Sequence, residues 1–270
     1  MRPTKFCAFL MLLTGVLPAT AQADSWKATT PLTELLGPSL ALLPNGKVFA
    51  TGNQFASTDA RSELYDPATG IWSAATTQAI GDVALLGDGT VLIAGASPQV
   101  YDPATNTVAP ARPLFPNFPI QLSTAMKAVP LDDGTALVAG DLKNNVPSGA
   151  VAHYRPADPD VPWTITSDVV KRWDMTLTKL RDGTVLAVGG TTQGGGPTAS
   201  AGIYESSDRW SPTNPMISTR DGHTATLLAD GRVLVAGGRT TTGSATPTVT
   251  ATAEIYTPAT GQWAPARAMT

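Results

Sequence analysis

A ten-residue pattern that recurs five times constrains the fold of this chain more than any other feature of its sequence. The clearest copy, at 229–238, has an Asp-Gly pair, an apolar run and a glycine doublet. An Asp-Gly or Asn-Gly pair returns at intervals of 43, 45, 49 and 48 residues, and another glycine follows six residues later each time. A period of this length predicts a repeat architecture. The turn glycines are Gly46, Gly89, Gly134, Gly183 and Gly231, and the trailing glycines are Gly52, Gly95, Gly140, Gly189 and Gly237.

Each copy predicts two strands joined by a tight turn. Asp-Gly between apolar runs favours a type I′ hairpin, because that turn needs positive φ at both central residues. The strand that follows, 91–94 in the second copy, is apolar without alternation, which predicts cover on both faces. The trailing glycine predicts a sharp turn or a close approach of backbones.

A second pattern after each hairpin predicts two more strands. Segments 63–72 and 254–263 both place a tryptophan seven residues after a tyrosine, with a proline-led turn between them. Each unit of about 45 residues is therefore predicted to be a four-stranded antiparallel meander, and radial stacking would bury both faces of such a sheet. The third-strand tyrosines and their fourth-strand tryptophans are Tyr65 and Trp72, Tyr101 with no tryptophan partner, Tyr154 and Trp163, Tyr204 and Trp210, and Tyr256 and Trp263.

On these motifs the chain resembles a bacterial secreted kelch-repeat β-propeller of the galactose-oxidase-like type over about residues 26–270. The doublets Gly189-Gly190 and Gly237-Gly238 match best. We place the repeats at approximately 35–75, 78–110, 123–165, 172–212 and 220–265. Trp26 would be one spare strand. The expected fold is all-β, either a five-bladed ring, which we favour, or a fragment of a six- or seven-bladed one.

Residues 1–23 predict a signal peptide that is cleaved near Ala23-Asp24. Arg2 and Lys5 precede an apolar run, and small residues stand before the cleavage position. Cleavage leaves 24–270 as the propeller domain and removes Cys7, the one cysteine of the chain, so no disulfide is expected. We expect a secreted, periplasmic or extracellular monomer without a transmembrane segment.

Composition and the resemblance both narrow the chemistry. Charged residues make up 14% of the chain and the formal net charge is -3, so no nucleic-acid partner is expected. The resemblance raises the possibility of a copper radical oxidase. In the family that the chain resembles, that copper site consists of a cysteine crosslinked to a tyrosine, a second tyrosine and two histidines. The mature chain has no cysteine, and its histidines, His153 and His223, lie 70 residues apart. We therefore predict no copper oxidase activity and identify no metal ligand, cofactor or catalytic residue.

The remaining candidates are polar and aromatic residues at the ends of the predicted strands. Arg172 and Arg220 lie between blades, where they would bond loop carbonyls or form an anion-binding rim. His223 is expected to be a hydrogen-bonded residue at a strand start, and His153 to be structural or solvent-facing. The candidate ligand-binding residues are Arg172, Trp173, Arg220, His223, Asp141, Asn144, Gln193 and Arg239.

The sequence favours a non-catalytic binding module that recognises a glycan or a protein through its blade loops. Variable loops on a rigid scaffold are where binding specificity usually resides. Two alternatives stay open. One is a sugar-acting enzyme such as a kelch-type mutarotase or epimerase, and the other is a scaffold domain of a larger surface protein.

Overall fold

A computed structural model describes most of the chain after residue 34, and all of its regular structure is β. Over these residues no helix is long and apolar enough to cross a membrane. The predicted signal peptide and Trp26 lie outside the described residues. The described residues are 35–54, 60–75, 80–95, 97–111, 126–140, 150–158, 161–166, 172–192, 195–205, 208–241 and 246–269.

Five four-stranded antiparallel sheets follow one another along the chain. Sheet 1 contains β1 (Leu35–Leu42), β2 (Val48–Gln54), β3 (Ala60–Asp66) and β4 (Ile71–Ala74). Sheet 2 contains β5 (Asp82–Leu85), β6 (Val91–Ala94), β7 (Gln99–Asp102) and β8 (Thr107–Pro110). Sheet 3 contains β9 (Lys127–Pro130), β10 (Ala136–Gly140), β11 (Ala150–Tyr154) and β12 (Trp163–Thr166).

Sheets 4 and 5 each carry an additional two-stranded ribbon. Sheet 4 contains β14 (Thr176–Lys179), β15 (Val185–Val188), β17 (Ala201–Glu205) and β18 (Arg209–Pro212), and its ribbon pairs β13 (Arg172–Trp173) with β16 (Thr191–Thr192). Sheet 5 contains β19 (Thr224–Leu227), β20 (Val233–Ala236), β23 (Ala253–Thr257) and β24 (Gln262–Ala266), and its ribbon pairs β21 (Arg239–Thr240) with β22 (Thr248–Val249).

Each sheet packs its face on the next through a repeated set of positions. We call the face towards the next sheet along the chain the forward face and the opposite one the backward face. Between sheets 4 and 5, Leu186 and Val188 of the forward face meet Val233, Val235 and Tyr256 of the backward face. Consecutive first strands also contact one another, from β1 through β5, β9 and β14 to β19. This is the predicted all-β propeller of four-stranded antiparallel sheets.

The first turn of each sheet has a different geometry from the predicted type I′. Among the residues of these turns only the glycine has positive φ, +80° at Gly46 and +89° at Gly231. The Gly46 amide donates to the Leu43 carbonyl, and the Leu43 amide donates to the Lys47 carbonyl. This is a three-residue hairpin loop in which a glycine follows a type I turn. The prediction of type I′ was wrong because the aspartate or asparagine accepts a bond from the amide two residues on, as in Asn45 with Lys47, and stays at negative φ.

The trailing glycines also divide into two kinds. Gly189 and Gly237 adopt positive φ after their strands end. Gly95 allows a close approach, since a Cβ there would lie 1.8 Å from the Ile80 carbonyl oxygen. Gly52 is an exception to both, because β2 runs on to Gln54 and Gly52 pairs with Arg61 of β3 without a sharp turn.

The tyrosine and tryptophan positions pair across the third and fourth strands of each sheet. The cross-strand pairs are Tyr65 with Trp72, Tyr101 with Val108, Tyr154 with Trp163, Tyr204 with Trp210, and Tyr256 with Trp263. Ring centroids of the four aromatic pairs are 4.5 to 5.4 Å apart. Such contacts stabilise a pair beyond its buried area. The number of residues between the tyrosine and its partner differs among the sheets, but in each sheet the two residues lie directly opposite each other.

Candidate functional site

The two ends of the sheets differ in the connections that they carry. The glycine turns and the loops between third and fourth strands lie at one end, which we call the turn end. The connections between second and third strands, and between sheets, lie at the other, which we call the loop end. Because antiparallel strands alternate in direction, the fourth strand of each sheet ends, and the first strand of the next begins, at the loop end, where both ribbons also lie.

Sheets 4 and 5 are joined at the loop end by a series of backbone pairs that carries polar and aromatic side chains. Arg172 and Trp173 pair with Thr192 and Thr191 across the first ribbon. Isolated bridges then join Thr198 to Arg220 and Asp221 to Arg239, and the second ribbon follows. We call the side chains of Trp173, Thr191, Thr192, Asp221 and Arg239 the loop-end ridge. Four sequence-distant segments therefore meet in one line.

A carboxylate holds the guanidinium of Arg239 on this ridge. Arg239 Nε donates to Asp221 Oδ1 over 2.8 Å and Nη2 donates to Oδ2 over 3.0 Å, while the Thr191 hydroxyl donates to Oδ2 over 3.1 Å. The hydrogen bonds to Asp221, together with its charge, raise the pKa of Arg239. Asp221 is buried, whereas the Arg239 side chain is 56% exposed. Asp221 thus holds the Arg239 guanidinium on its buried side, and the rest of the group is exposed to solvent.

Trp173 differs from the other tryptophans that the structure describes. Trp72, Trp163, Trp210 and Trp263 each pack on a tyrosine of the same sheet. Trp173 is half-buried on the ridge. Over the described residues it has no aromatic partner, and its indole N–H has no hydrogen-bond acceptor. Its ring is therefore the aromatic group of the ridge that no other described ring covers.

The two predicted loop arginines lie beneath the ridge and are completely buried. Arg172 donates to the Ser200 carbonyl and hydroxyl and, over 3.0 Å, to the Ala187 carbonyl. These bonds of Arg172 link the connection that enters sheet 4 to the connection between its second and third strands. Arg172 therefore supports the ridge from inside the protein.

Arg220 plays the corresponding part in sheet 5, with a buried carboxylate as its partner. Its guanidinium donates to Glu254 Oε1 over 3.0 Å from Nη2, and to the carbonyls of Gly237 and Thr252. Glu254 also accepts from the amides of Ile217 and Ser218. Both charges are therefore satisfied inside the sheet.

His223 lies at the start of β19 and is buried between sheets 4 and 5. Its Nε2 lies 3.0 Å from the Thr176 hydroxyl, and its Nδ1 has no hydrogen-bond partner in the structure. Burial, and then the positive charge of Arg220, lower the pKa of His223 to about 4. The imidazole is consequently neutral at physiological pH and packs against Gly189 and Gly238.

Three candidates from the sequence, Asp141, Asn144 and Gln193, lie outside the described residues. Of the others, Trp173 and Arg239 lie on the loop-end ridge and are linked through Thr191 and Asp221. The side chains of Arg172, Arg220 and His223 are buried. Among the residues that are described, no group of three or more His, Cys, Asp or Glu side chains is placed to hold a metal ion.

A second polar cluster at the turn end was not predicted from the sequence. His153 of sheet 3 is fully buried and its Nδ1 lies 2.7 Å from Asp208 Oδ1 of sheet 4. Asp208 also pairs with Arg155 and accepts from the Tyr204 hydroxyl over 2.7 Å. Burial raises the pKa of Asp208, but the bonds from Tyr204, His153 and Arg155 outweigh it and hold the pKa below its usual value. Burial and the Asp208 carboxylate raise the pKa of Tyr204.

A cavity of about 1010 Å³ opens beside this cluster. Its lining includes Asp88, Asp132, Asp133, Arg155 and Asp158. The acids already have partners: Asp132 pairs with Lys179, Asp133 accepts from Thr135, and Asp158 accepts from the Val161 amide. The alternation that turns His153 away from Tyr154 was the signal in the sequence, but it gives no information about the partner across the sheet boundary.

Comparison with known proteins gives structural neighbours without sequence relatives. No family profile matches the chain, and no curated protein matches it in sequence. The structure is similar to YjhT, with a TM-score of 0.64 and 12% identity over 92% of this chain and 89% of YjhT. It is also similar to a fungal alcohol oxidase of the AA5 family in complex with copper, with a TM-score of 0.52 and 16% identity over 92% of this chain and 68% of the oxidase. At these identities the likeness establishes the propeller fold alone.

Proposed function

We propose that the protein is a non-catalytic binding module that recognises a glycan at the loop-end ridge. The observation that carries this proposal is the convergence of an unpartnered indole ring, a fixed guanidinium and threonine hydroxyls from sequence-distant segments. A sugar has an apolar C–H face and a rim of hydroxyls. An indole ring can stack on the first, and groups that donate or accept hydrogen bonds can satisfy the second.

The donors of Arg239 support this choice of ligand. Asp221, which also accepts from the Thr191 hydroxyl, holds Nε and Nη2 in place, and Nη1 has no hydrogen-bond partner among the described residues. A guanidinium that is already oriented loses less conformational entropy when it binds an oxygen of the ligand. Thr192 of the first ribbon and Thr241, which follows the second ribbon's first strand, add hydroxyls, a group that can both donate and accept.

The wider setting remains part of the proposal. We propose that the chain is exported after cleavage near Ala23-Asp24 and acts as a kelch-type propeller monomer. Amino-terminal sequencing of the secreted protein tests the cleavage, and light scattering tests the monomer.

A glycan array followed by calorimetric titration tests the binding site. The Trp173→Ala variant is expected to weaken binding of a hit about tenfold or more, because truncating a central tryptophan costs about 2 kcal/mol at an interface. Arg239→Ala should weaken it as well. Arg232→Ala is the matched control, since Arg232 is an exposed, aspartate-paired arginine of the same sheet at the turn end.

Two outcomes would overturn the glycan proposal. If the array gives no hit, or if a hit binds both variants as tightly as the parent, the ridge is not a glycan site. If the parent accelerates anomerisation of a bound sugar and Trp173→Ala removes that acceleration, the protein is a sugar-acting enzyme instead.

A further inference from the structure

Asp174 adopts a backbone conformation for which the equivalent position of sheet 5 uses glycine. Arg172 and Arg220 each lie eleven residues before the turn glycine of their sheet, and Asp174 and Gly222 follow them by two residues. The φ angles of Asp174 and Gly222 are +55° and +59°. Glycine adopts positive φ without strain, whereas aspartate tolerates it at a cost. Sheet 5 therefore shows that glycine is sufficient for the backbone turn at this position.

The other non-glycine residues with positive φ contribute to the packing of their own sheets. Within the described part of the chain they are Asn106 and Asp208. Tyr101 donates to Asn106 over 3.1 Å, and Tyr204 donates to Asp208 over 2.7 Å. The Asp174 side chain is exposed at the loop end, directly after the tryptophan of the ridge. A strained residue at an exposed position beside a candidate site is a reason to assign it a function.

The Asp174 carboxylate also acts on the guanidinium of the ridge. Hydrogen bonds to Asp221, and then the charge of Asp221, are the main causes of the raised pKa of Arg239, and the charge of Asp174 adds to them. Because the effect of a charge falls with distance, Asp174 lies within electrostatic reach of Arg239. Nε and Nη2 of Arg239 already donate in parallel to Asp221, which is the arrangement by which arginine recognises a carboxylate. Two carboxylates thus act on one guanidinium.

We propose that Asp174 is a ligand-binding residue of this site, which accepts hydrogen bonds from the hydroxyls of an uncharged sugar and makes the site select neutral over acidic glycans. This inference rests on the proposed glycan-binding function and names the class of glycan. An ionised carboxylate only accepts hydrogen bonds, and it has two oxygens for neighbouring hydroxyls of one sugar ring. Hydrogen bonds to an ionised group are also stronger than those between neutral groups.

The same charges disfavour a sugar that carries a carboxylate. Such a ligand would meet the like charge of Asp174, which costs binding energy. It would also compete with Asp221 for the paired N–H groups of Arg239. A sugar hydroxyl needs neither the pair of donors nor the positive charge, and it can donate to Asp174. Neutral glycans therefore fit this arrangement better than uronic acids do.

Calorimetric titration with two pairs of glycans tests the selectivity. One pair ends in glucose or glucuronic acid and the other in galactose or galacturonic acid, so that the members of each pair differ only at C6. The parent protein is expected to bind the neutral member of a pair about fivefold or more tightly than the acidic one, from one like charge near the surface. Asp174→Asn, which keeps a residue that tolerates positive φ but removes the charge, should at least halve that preference.

Asp174→Gly separates a binding role from a structural one. This variant should bind the neutral glycan about tenfold or more weakly, because it loses the charged acceptor. Its unfolding temperature should stay the same or rise, because glycine adopts positive φ without strain. Asn106→Gly is the matched control, since it makes the same kind of exchange at the turn end and should leave the affinity within about twofold of the parent.

The outcomes distinguish this inference from the proposed function. Binding that Trp173→Ala weakens and Asp174→Gly does not would leave the glycan site in place and overturn the role of Asp174. Equal or tighter binding of the acidic member of a pair would overturn the selectivity. A lower unfolding temperature of Asp174→Gly together with a loss of binding would make Asp174 a structural residue. If no glycan of either kind binds, the proposed function and this inference are both wrong.

Discussion

The imidazole of His153 and the carboxylate of Asp208 connect the third sheet to the fourth, with 2.7 Å between Nδ1 and Oδ1. The contact crosses 55 residues of sequence and a sheet boundary. Asp208 can reach because it adopts positive φ, 56°, in the turn between β17 and β18. Aspartate is among the few residues other than glycine that tolerate this conformation. The turn conformation thus places the Asp208 carboxylate at the boundary between sheets 3 and 4.

Replacing Asp208 should test how much that connection stabilises the ring. Asp208→Ala leaves buried His153 and the Tyr204 hydroxyl without their acceptor and removes the partner of Arg155. We expect a loss of about 2–4 kcal/mol in the free energy of unfolding, measured by urea denaturation.

Two further variants separate the charge from the backbone effect. Asp208→Asn keeps a residue that tolerates positive φ and should lose less than alanine does. Glu205→Ala removes an exposed partner of Arg209 nearby and should change the unfolding curve little. Equal losses for all three would mean that the cluster does not stabilise the interface.

Glycines with the same φ should differ in their sensitivity to alanine. Gly46 and Gly238 have φ of 80° and 84°, but a Cβ on Gly46 meets nothing within 4 Å, whereas one on Gly238 lies 2.3 Å from the Asp221 carbonyl oxygen. Gly46→Ala should cost about 1 kcal/mol from backbone strain alone. Gly238→Ala should cost several times more, because the backbone beneath the loop-end ridge must move. Thermal unfolding of the two variants makes the comparison, and equal shifts in midpoint would contradict it.

The four-stranded sheets could be predicted from the sequence because several short-range signals within each repeat indicate the same strands. The apolar run at Val91, the glycine turn before it and the Tyr101 position all indicate the same four-strand unit. The turn subtype was wrong because type I′ and the observed loop both contain Asp-Gly, and only the backbone conformation distinguishes them.

The candidate site was only partly predictable for a related reason. Trp173 and Arg239 were among the candidates from the sequence, but the link between them depends on two ribbons and on Asp221, which no local pattern indicates. The link between His153 and Asp208 belongs to the packing of one sheet on the next. Periodicity within a strand carries no information about which side chain lies opposite across that boundary.

Glu254 should be the most sensitive carboxylate of sheet 5. It is 3% exposed, and Glu254→Ala would leave the fully buried guanidinium of Arg220 without its counter-charge, together with the amides of Ile217 and Ser218. Breaking a buried pair in this way costs about 3–5 kcal/mol. Glu254→Gln, which keeps one oxygen acceptor, should cost less. Asp230→Ala, which removes an exposed acceptor of the Arg232 amide and guanidinium, serves as the control and should cost much less than Glu254→Ala.

The stability of the protein should fall in mild acid because of His223. Burial lowers the pKa of this residue to about 4 in the folded chain, whereas an unfolded histidine has a pKa of about 6.5. Between these values the unfolded chain binds a proton that the folded chain does not. Stability therefore decreases as the pH falls from about 6.5 to about 4, by about 3 kcal/mol in all, and His223 contributes no pH dependence above about pH 7.

His223→Gln isolates this effect, since glutamine cannot titrate and can still hydrogen-bond to Thr176. The carboxylates of Asp208 and Asp102 contribute mainly below this range, because the hydrogen bonds that they accept hold the pKa of each below its usual value. Urea denaturation at intervals between pH 7 and pH 4.5 should show the parent losing stability faster than the variant. Parallel curves would mean that His223 becomes protonated in the folded protein without cost, and that its site admits water or a counter-ion. Because Arg220 and Asp221 both adjoin His223, a steep loss of stability there would also loosen the connection that supports the loop-end ridge.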